Sequence, residues 1–207
     1  CVGTWSAFGE TLPNMVFLMT DDQGWGDVGY NGHPKIKTPH LDALASAGVR
    51  FARHYTQSTP CAPGRAGLYT GMYQMNHRVV ANGTPLDDRF DNVARLAQRS
   101  GRQGALFGYT DQSVDPRITL TADDPRLQTY EGLLPGFTWE LDLTGPHRPW
   151  VDFLKANGYD VSAGHMHLLA TEHERPVEHS VSRFMTDHLI DWLENQTTTA
   201  QAPWFAH

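Results

Sequence analysis

A cysteine and an arginine four residues apart, in the run Cys61-Ala62-Pro63-Gly64-Arg65, are the side chains of this sequence best suited to chemistry on an anion. Pro63 favours the first turn of a helix, where its missing N–H costs nothing. The N–H groups of such a turn and the helix dipole attract an anion beside residue 61, and Arg65 can add a forked donor. The segment therefore predicts a site for a tetrahedral oxyanion. The alternative is a buried structural cysteine before an ordinary helix, with Arg65 exposed.

Two adjacent carboxylates, Asp21 and Asp22, follow an apolar run and begin a glycine-rich stretch. Neighbouring carboxylates repel each other and are costly to desolvate, and a hard divalent metal ion would offset that repulsion. The pair therefore predicts a metal site. The alternative is a solvated turn in which one acid faces water and the other caps a helix.

The elements that would position these residues alternate between short apolar runs and helical patterns, which is typical of an α/β fold with a largely parallel sheet. We predict strands at 14–20, 49–56 and 104–109, another beginning at 203, and helices at 39–47, 63–72, 90–100, 149–157 and 180–194. Residues 112–147 are predicted to be a long irregular insertion. The active site of such a sheet lies beyond the carboxyl ends of its strands, where the acid pair and the cysteine segment fall together with the polar residues Asn82, Tyr109, Thr110 and Asp111.

The composition is that of a globular protein and excludes some classes of function. The 207 residues carry a formal net charge of -7, so there is no basic footprint for nucleic acid or for an anionic membrane. No apolar run reaches the roughly 20 residues of a membrane-spanning helix, and no signal peptide is recognisable, so we expect a cytoplasmic protein. A disulfide between Cys1 and Cys61 is allowed by number, but two cysteines make no framework.

Three stretches, each weak alone, form a specific family pattern when they are taken together. They are Pro13-Asn-Met-Val-Phe-Leu-Met-Thr-Asp-Asp-Gln-Gly-Trp-Gly-Asp, His33-Pro-Lys-Ile-Lys-Thr-Pro-His-Leu-Asp and Cys61-x-Pro-x-Arg-Ala-x-Leu-Tyr-Thr-Gly. They resemble the type I sulfatase family of the alkaline phosphatase superfamily. Later stretches, including Asn82-Gly-Thr-Pro-Leu and Leu106-Phe-Gly-Tyr-Thr-Asp, are similar to the phosphonate monoester hydrolase branch of that family. The resemblance runs from residue 13 to residue 207 and implies the N-terminal part of an alkaline-phosphatase-like catalytic domain. Residues 1–12 stay unassigned.

The resemblance implies that a separate maturation enzyme oxidises Cys61 to formylglycine, whose hydrated aldehyde attacks sulfur or phosphorus. Asp21, Asp22 and the modified side chain at position 61 would bind a divalent metal ion. Ca²⁺ is usual in sulfatases, and Mn²⁺ fits the hydrolase branch. Arg65 would hold the formylglycine. The substrate, a small sulfate or phosphonate/phosphate ester, would be contacted by Asn82, Tyr109 and Thr110. A homo-oligomer of the full-length protein is left open.

Two departures from the family pattern shape our expectations. Sulfatases carry a Lys-x-His pair where this chain has Tyr109-Thr110-Asp111, which favours phosphonate or phosphate esters; the Asp-Asp-Gln-Gly-Trp-Gly-Asp stretch favours sulfate esters. The family also supplies metal ligands and a lysine from a C-terminal half that has no counterpart here, so we expect this chain alone to bind metal poorly and to turn over little. A promiscuous phosphodiesterase-like hydrolase and a non-catalytic domain with an unmodified Cys61 are the alternatives. The histidines at 165, 167, 173 and 179 are predicted to face solvent.

Overall fold

The computed structural model describes residues 12–118, 121–199 and 202–207, and side chains at 197–199 are not described. The chain divides into two compact units, one formed by Cys1–Phe17 with Gln57–His207 and the other by Leu18–Thr56. Cys1, and with it the disulfide considered above, lies outside the described residues. Residues 1–11 of the unassigned segment lie outside them as well.

A four-stranded parallel sheet organises the larger unit, as the alternating pattern predicts. Its strands are β1 (Met15–Val16), β2 (Gln103–Gly108), β3 (Thr138–Asp142) and β4 (Trp204–Ala206), in the spatial order β1-β4-β2-β3. All three pairings are parallel, with Ala105 opposite both Thr138 and Ala206. The carboxyl ends of β2 and β4 therefore lie side by side, so the residues that follow them, Tyr109 and His207, begin at the same edge.

Seven α-helices lie in the described residues, and five of them lie at predicted positions, four with somewhat different ends. They are α1 (Pro39–Ala47), α2 (Cys61–Thr70), α3 (Gln74–His77), α4 (Val93–Arg99), α5 (Arg148–Ala156), α6 (His165–Ala170) and α7 (Val181–Thr199). The four-residue α3 and the six-residue α6 were not predicted. Asn92 begins α4, because its Oδ1 accepts the N–H groups of Ala94 at 2.9 Å and Arg95 at 3.0 Å. None of the described helices is long and apolar enough to cross a membrane.

The core of the larger unit packs helices α5 and α7 against the central strand β2. Trp150 and Leu154 of α5 are fully buried and join Phe107 of β2 and Phe184 of α7 in one apolar cluster. The Trp150 indole N–H donates to the His179 carbonyl at 3.0 Å, so this large ring is buried without an unpaired donor. This cluster anchors β2, the strand that leads into the candidate site.

One glycine lets α4 and the β3 segment approach closely. Gly136 has φ +110°, and a Cβ at this position would lie 2.5 Å from the Arg95 backbone nitrogen. Any other residue would have to displace the helix backbone and adopt a strained conformation.

Three sequence predictions are wrong. Residues 49–56 are irregular, with a turn at 52–53, rather than a strand. Val49 and Phe51 are exposed, and no strand pairs with this segment in the described residues. The strand predicted at 14–20 is regular only at Met15–Val16, and these two residues are about half exposed rather than buried. The supposed irregular insertion contains β3, whose sequence Thr-Trp-Glu-Leu-Asp carries only a weak strand pattern.

The prediction that four histidines face solvent holds for two of them. His167 and His173 are exposed, whereas His165 and His179 are half-buried. The His165 ring stacks on that of His147, with centroids 5.8 Å apart.

The Leu18–Thr56 unit is held by polar contacts close in sequence. The Asp42 carboxylate accepts the Tyr30 N–H and the Thr38 hydroxyl, each at 2.8 Å, and the Thr38 Oγ1 in turn accepts the Gly29 N–H at 2.8 Å. The helix predicted at 39–47 is confirmed, but Leu44 on its apolar face is exposed. Helix α1 is therefore held by hydrogen bonds that join Asp42 and Thr38 to the preceding loop rather than by a packed face.

Candidate active site

Helix α2 begins at Cys61, two residues before the predicted start at 63, and a distant side chain explains why. Pro60 precedes the helix and has no side chain that can cap it, so the early N–H groups need another acceptor. The Asn82 Oδ1 accepts the Ala62 N–H at 2.9 Å. That bond makes the Ala62 donor unavailable to an anion, and Pro63 has none, so the turn offers fewer backbone donors than the sequence suggested. The Asn82 amide group presents its Nδ2 donor in the same region.

Arg65 is buried rather than exposed, which contradicts the alternative of an ordinary helix with a solvent-facing arginine. Its side chain is 11% exposed, and its Nε lies 3.6 Å from the Asp111 Oδ2 of a side chain that is 4% exposed. The Arg65 Nη1 donates to the Tyr109 carbonyl at 3.4 Å, and the guanidinium carbon lies 5.5 Å from the centre of the Tyr109 ring. A backbone acceptor, an aromatic face and a carboxylate therefore fix the plane of the guanidinium one turn from Cys61.

The turn that follows β2 is strained and buried. Asp111 has φ 58°, a left-handed conformation that is uncommon outside glycine, although Asp tolerates it better than most residues. Thr110 is fully buried, and its hydroxyl donates to the Gly132 carbonyl at 2.7 Å. The Gln112 Nε2 donates to the Ala62 carbonyl at 3.1 Å, so this turn is tied to the first turn of α2. These bonds hold Asp111 in the conformation in which it faces Arg65.

A tyrosine and a histidine form a second polar pair near Arg65. Tyr69, on α2, makes a 2.8 Å hydrogen bond between its hydroxyl and the His207 Nε2 at the end of β4. Burial raises the pKa of Tyr69, although Arg65 opposes the shift. Burial lowers the pKa of His207 to about 4, a hydrogen bond with the Phe17 backbone opposes this, and Arg65 adds to it. Both side chains are therefore neutral at pH 7, with the tyrosine O–H donating to the imidazole.

The predicted metal ligands Asp21 and Asp22 lie in the Leu18–Thr56 unit, and both are exposed. Asp22 has φ 51°, which turns the chain sharply at the acid pair. The loop that follows is closed by the Gly24 N–H, which donates to the Asp27 carboxylate at 3.0 Å. Two exposed carboxylates offer the hard oxygen donors that Ca²⁺ and Mn²⁺ prefer, so their chemistry fits such an ion. A metal site shared by Asp21, Asp22 and residue 61 stays a prediction.

The structure brings together three of the site residues predicted from the sequence. Arg65 contacts Tyr109, and Asn82 bonds to Ala62, in the first turn of the helix that carries Arg65. The contact of Thr110 with substrate stays a prediction, and its hydroxyl has the Gly132 carbonyl as its partner. Sequence reasoning gave no specific role to Asp111 and missed Gln112, Tyr69 and His207. For Asp111, Gln112 and His207 a signal existed, because each is a polar residue just beyond the end of a strand.

The carboxyl edge of a parallel α/β sheet is where such folds place their sites, and in this chain a cysteine-led helix and a largely buried arginine lie beside that edge. The Sulfatase family model matches residues 13–207. The chain therefore belongs to the sulfatase family, within the alkaline phosphatase superfamily.

Individual relatives come from both branches of the family. The multifunctional alkaline phosphatase superfamily protein PehA of Trinickia caryophylli is 33% identical over 190 residues, which are 84% of this chain and 35% of PehA. Mouse N-acetylgalactosamine-6-sulfatase is 44% identical over 70 residues, 34% of this chain and 14% of the sulfatase. The crystal structure of the phosphonate monoester hydrolase of Agrobacterium radiobacter aligns with a TM-score of 0.81 at 40% identity, covering 95% of this chain and 40% of the hydrolase. The chain thus spans well under half the length of these relatives.

Proposed function

We propose that this chain is part of a metal-dependent hydrolase of phosphonate, phosphate or sulfate monoesters whose nucleophile is a formylglycine made from Cys61. The observation that supports this most is the buried Arg65, oriented by Asp111 and Tyr109 one turn from Cys61. A guanidinium fixed in this way is a forked donor for a tetrahedral oxyanion and needs little reorganisation when the anion arrives. A non-catalytic domain would have no physical need for this arrangement.

The side chains on the larger unit would divide the binding of the ester between them. Arg65 would hold the oxygen substituents at position 61. Asn82 is anchored through Oδ1 to the Ala62 N–H, so its Nδ2 would donate to a substrate oxygen. Tyr109, half-buried beside the guanidinium, would contact the ester from the other side. Gln112 would keep the turn after β2 in register with α2.

Asp21, Asp22 and the modified residue 61 would hold the divalent ion, Ca²⁺ or Mn²⁺, which would supply Lewis-acid stabilisation of developing negative charge. Between the two ester classes we favour phosphonate and phosphate. The turn Tyr109-Thr110-Asp111 replaces the Lys-x-His pair of sulfatases, and the similarity to the Agrobacterium phosphonate monoester hydrolase covers nearly the whole chain.

Mass spectrometry of the tryptic peptide 54–65 tests the nucleophile directly. After co-expression with a formylglycine-generating enzyme, we expect this peptide to lose its thiol and to react with an aldehyde reagent. The matched control is Cys61→Ala, which can form no aldehyde. An alkylatable Cys61 in the wild-type chain, under conditions in which a known sulfatase peptide is converted, would contradict the proposal and favour a non-catalytic domain.

A further inference from the structure

Three arginines line an open cavity of about 370 Å³ in the larger unit. They are Arg78, just after α3, then Arg89, and Arg117 in the segment after β2. Arg89 and Arg117 keep 81% and 62% of their side-chain exposure. The described lining of this cavity contains none of the residues proposed to bind the ester or the metal ion. The cavity therefore belongs to a part of the surface to which the proposed function gives no role.

Two largely buried carboxylates, 15% and 4% exposed, hold two of these arginines in place. The Arg89 Nη2 donates to Asp87 at 2.7 Å, and the Arg117 Nη2 donates to Asp115 at 2.7 Å. Asp87 also bridges both guanidiniums, because its Oδ2 lies 2.9 Å from the Arg117 Nη2. Hydrogen bonds from Arg89, and then from Arg117, hold the pKa of Asp87 well below its usual range, so it stays ionised at pH 7. In the described part of the chain neither arginine Nη1 has an acceptor, which leaves each guanidinium a donor group for a ligand.

The same Asp-x-Arg arrangement occurs once more, at Asp124 and Arg126, and shows what the motif does alone. There too the arginine Nε and Nη2 donate to the carboxylate two residues earlier, at 3.0 and 2.7 Å. Among the described residues Arg126 is the one cation paired with Asp124. The motif alone is therefore a local structural device. The convergence of two such motifs with a third arginine at one cavity needs a further explanation.

The third arginine, Arg78, has no carboxylate partner among the described residues, and its backbone has a conformation that glycine adopts more readily. It ends α3 with φ 61° and ψ 15°, and its N–H donates to the Gln74 carbonyl at 2.7 Å. Glycine is the usual residue at such a helix end, because a side chain strains the left-handed conformation. Residues other than glycine that keep this conformation cluster at ligand sites. Three arginines thus face two carboxylates at this cavity, in a chain whose formal net charge is -7.

We propose that this cavity is a second anion site, separate from Cys61, which binds the phosphate group of a small ligand through Arg78, Arg89 and Arg117. A phosphate has enough oxygens to meet three guanidiniums, whereas a carboxylate has only two. Pro85 and Phe90 also line the cavity and provide an apolar surface beside the arginines. The site is independent of the hydrolysis proposed above, because none of its groups takes part in that reaction.

Titration of the isotope-labelled 207-residue chain with inorganic phosphate, followed by NMR of the arginine Nε–Hε groups, tests this site. We expect the resonances of the three arginines to shift together, with a dissociation constant on the order of 1 mM at low salt. Arg78→Gly removes one cation and suits the left-handed backbone, so the chain should stay folded and bind phosphate about tenfold more weakly. Arg78→Lys keeps the charge and should bind within about threefold of the wild type. The matched control is Arg126→Ala, which changes the net charge equally at a residue that does not line the cavity and should leave the affinity unchanged.

A second titration, with glycerol phosphate, identifies the source of the phosphate group. Tighter binding than that of inorganic phosphate would assign the site to a phosphorylated small molecule whose organic part contacts Pro85 and Phe90. Equal binding of the two would assign it to free phosphate.

A purely structural role of Arg78 would affect the thermal unfolding of the chain but not its affinity for phosphate. Unchanged phosphate affinity in Arg78→Gly would therefore overturn the site. An equal loss of affinity in Arg126→Ala would overturn it as well, because it would show only a general effect of charge. Shifts confined to the Arg65 resonance would also overturn it, while supporting the position of the anion in the proposed function. The formylglycine measurement is independent of all these outcomes, because the titration uses unmodified Cys61.

Discussion

Arg65 and Asp111 in the larger unit retain 11% and 4% of their side-chain exposure, whereas Asp21 and Asp22 in the Leu18–Thr56 unit are exposed. The larger unit surrounds its charges with a buried strand, β2, and a packed aromatic cluster. In the smaller unit Val28 is the one buried hydrophobic residue among those described, and Trp25, Val49 and Phe51 are more than 70% exposed. The groups proposed to bind an anion are thus held by a core, while the predicted metal ligands are held by short loops.

The contrast shows how the proposed anion-binding groups and the predicted metal ligands would each depend on the unit that carries them. A buried ion pair on a packed scaffold keeps its geometry without a ligand, so the side chains proposed to bind an anion are preorganised. Exposed carboxylates on a loop repel each other, and a bound cation would offset that repulsion. We therefore expect substitutions in the larger unit to cost stability and matched ones in the smaller unit to cost little.

The largest effect should come from the core beneath β2. Trp150→Ala removes a fully buried indole from the cluster that anchors the strand, and we expect the free energy of unfolding to fall by about 4 kcal/mol. Phe51→Ala removes an aromatic ring of the smaller unit that is 76% exposed. This substitution should change the free energy of unfolding by less than about 0.5 kcal/mol. Urea denaturation followed by circular dichroism measures both. Similar losses in the two variants would show that the smaller unit has a core of its own and would break the contrast.

An intermediate effect should come from the buried ion pair. Arg65→Met leaves the Asp111 carboxylate buried without its cation, and we expect a loss of about 3 kcal/mol in the free energy of unfolding. Asp111→Asn added to it should recover about half of that loss, because an amide carries no charge and tolerates the left-handed backbone. Additive losses in a double-mutant cycle would mean that the two side chains do not interact.

Sequence reasoning succeeded where one local pattern decided the outcome. The parallel sheet, α1 and the strand beginning near 203 followed from alternation and from proline and glycine positions. It failed where a residue distant in sequence determines the local structure. Asn82 accepts a hydrogen bond from the first turn of α2, which begins two residues before the predicted start. Residues 138–142 form a strand because β2 pairs with them. The burial of Arg65 depends on Asp111, 46 positions away, whose left-handed backbone no pattern in the sequence announces.

The smallest effect expected is a dependence of stability on pH that belongs to the larger unit. The pKa of His207 is about 4 in the folded chain, below the value of roughly 6.5 for an unperturbed histidine. Between these two pH values the His207 imidazole therefore binds a proton in the unfolded chain but not in the folded chain. The stabilisation is complete above pH 6.5 and is lost as the pH falls toward 4. From pH 7 to pH 5 this one group should lower the free energy of unfolding by about 2 kcal/mol.

His207→Gln should flatten this pH dependence, because glutamine does not titrate but can still accept the Tyr69 hydroxyl. The matched control is His173→Gln, an exposed histidine whose removal should leave the slope unchanged. Urea denaturation at half-unit steps between pH 5 and pH 7 gives the slope for each variant. If the free energy of unfolding of His207→Gln still depends on pH with the same slope, another group takes up the proton. The pH dependence would then be no evidence for the contrast between the buried groups of the larger unit and the exposed carboxylates of the smaller one.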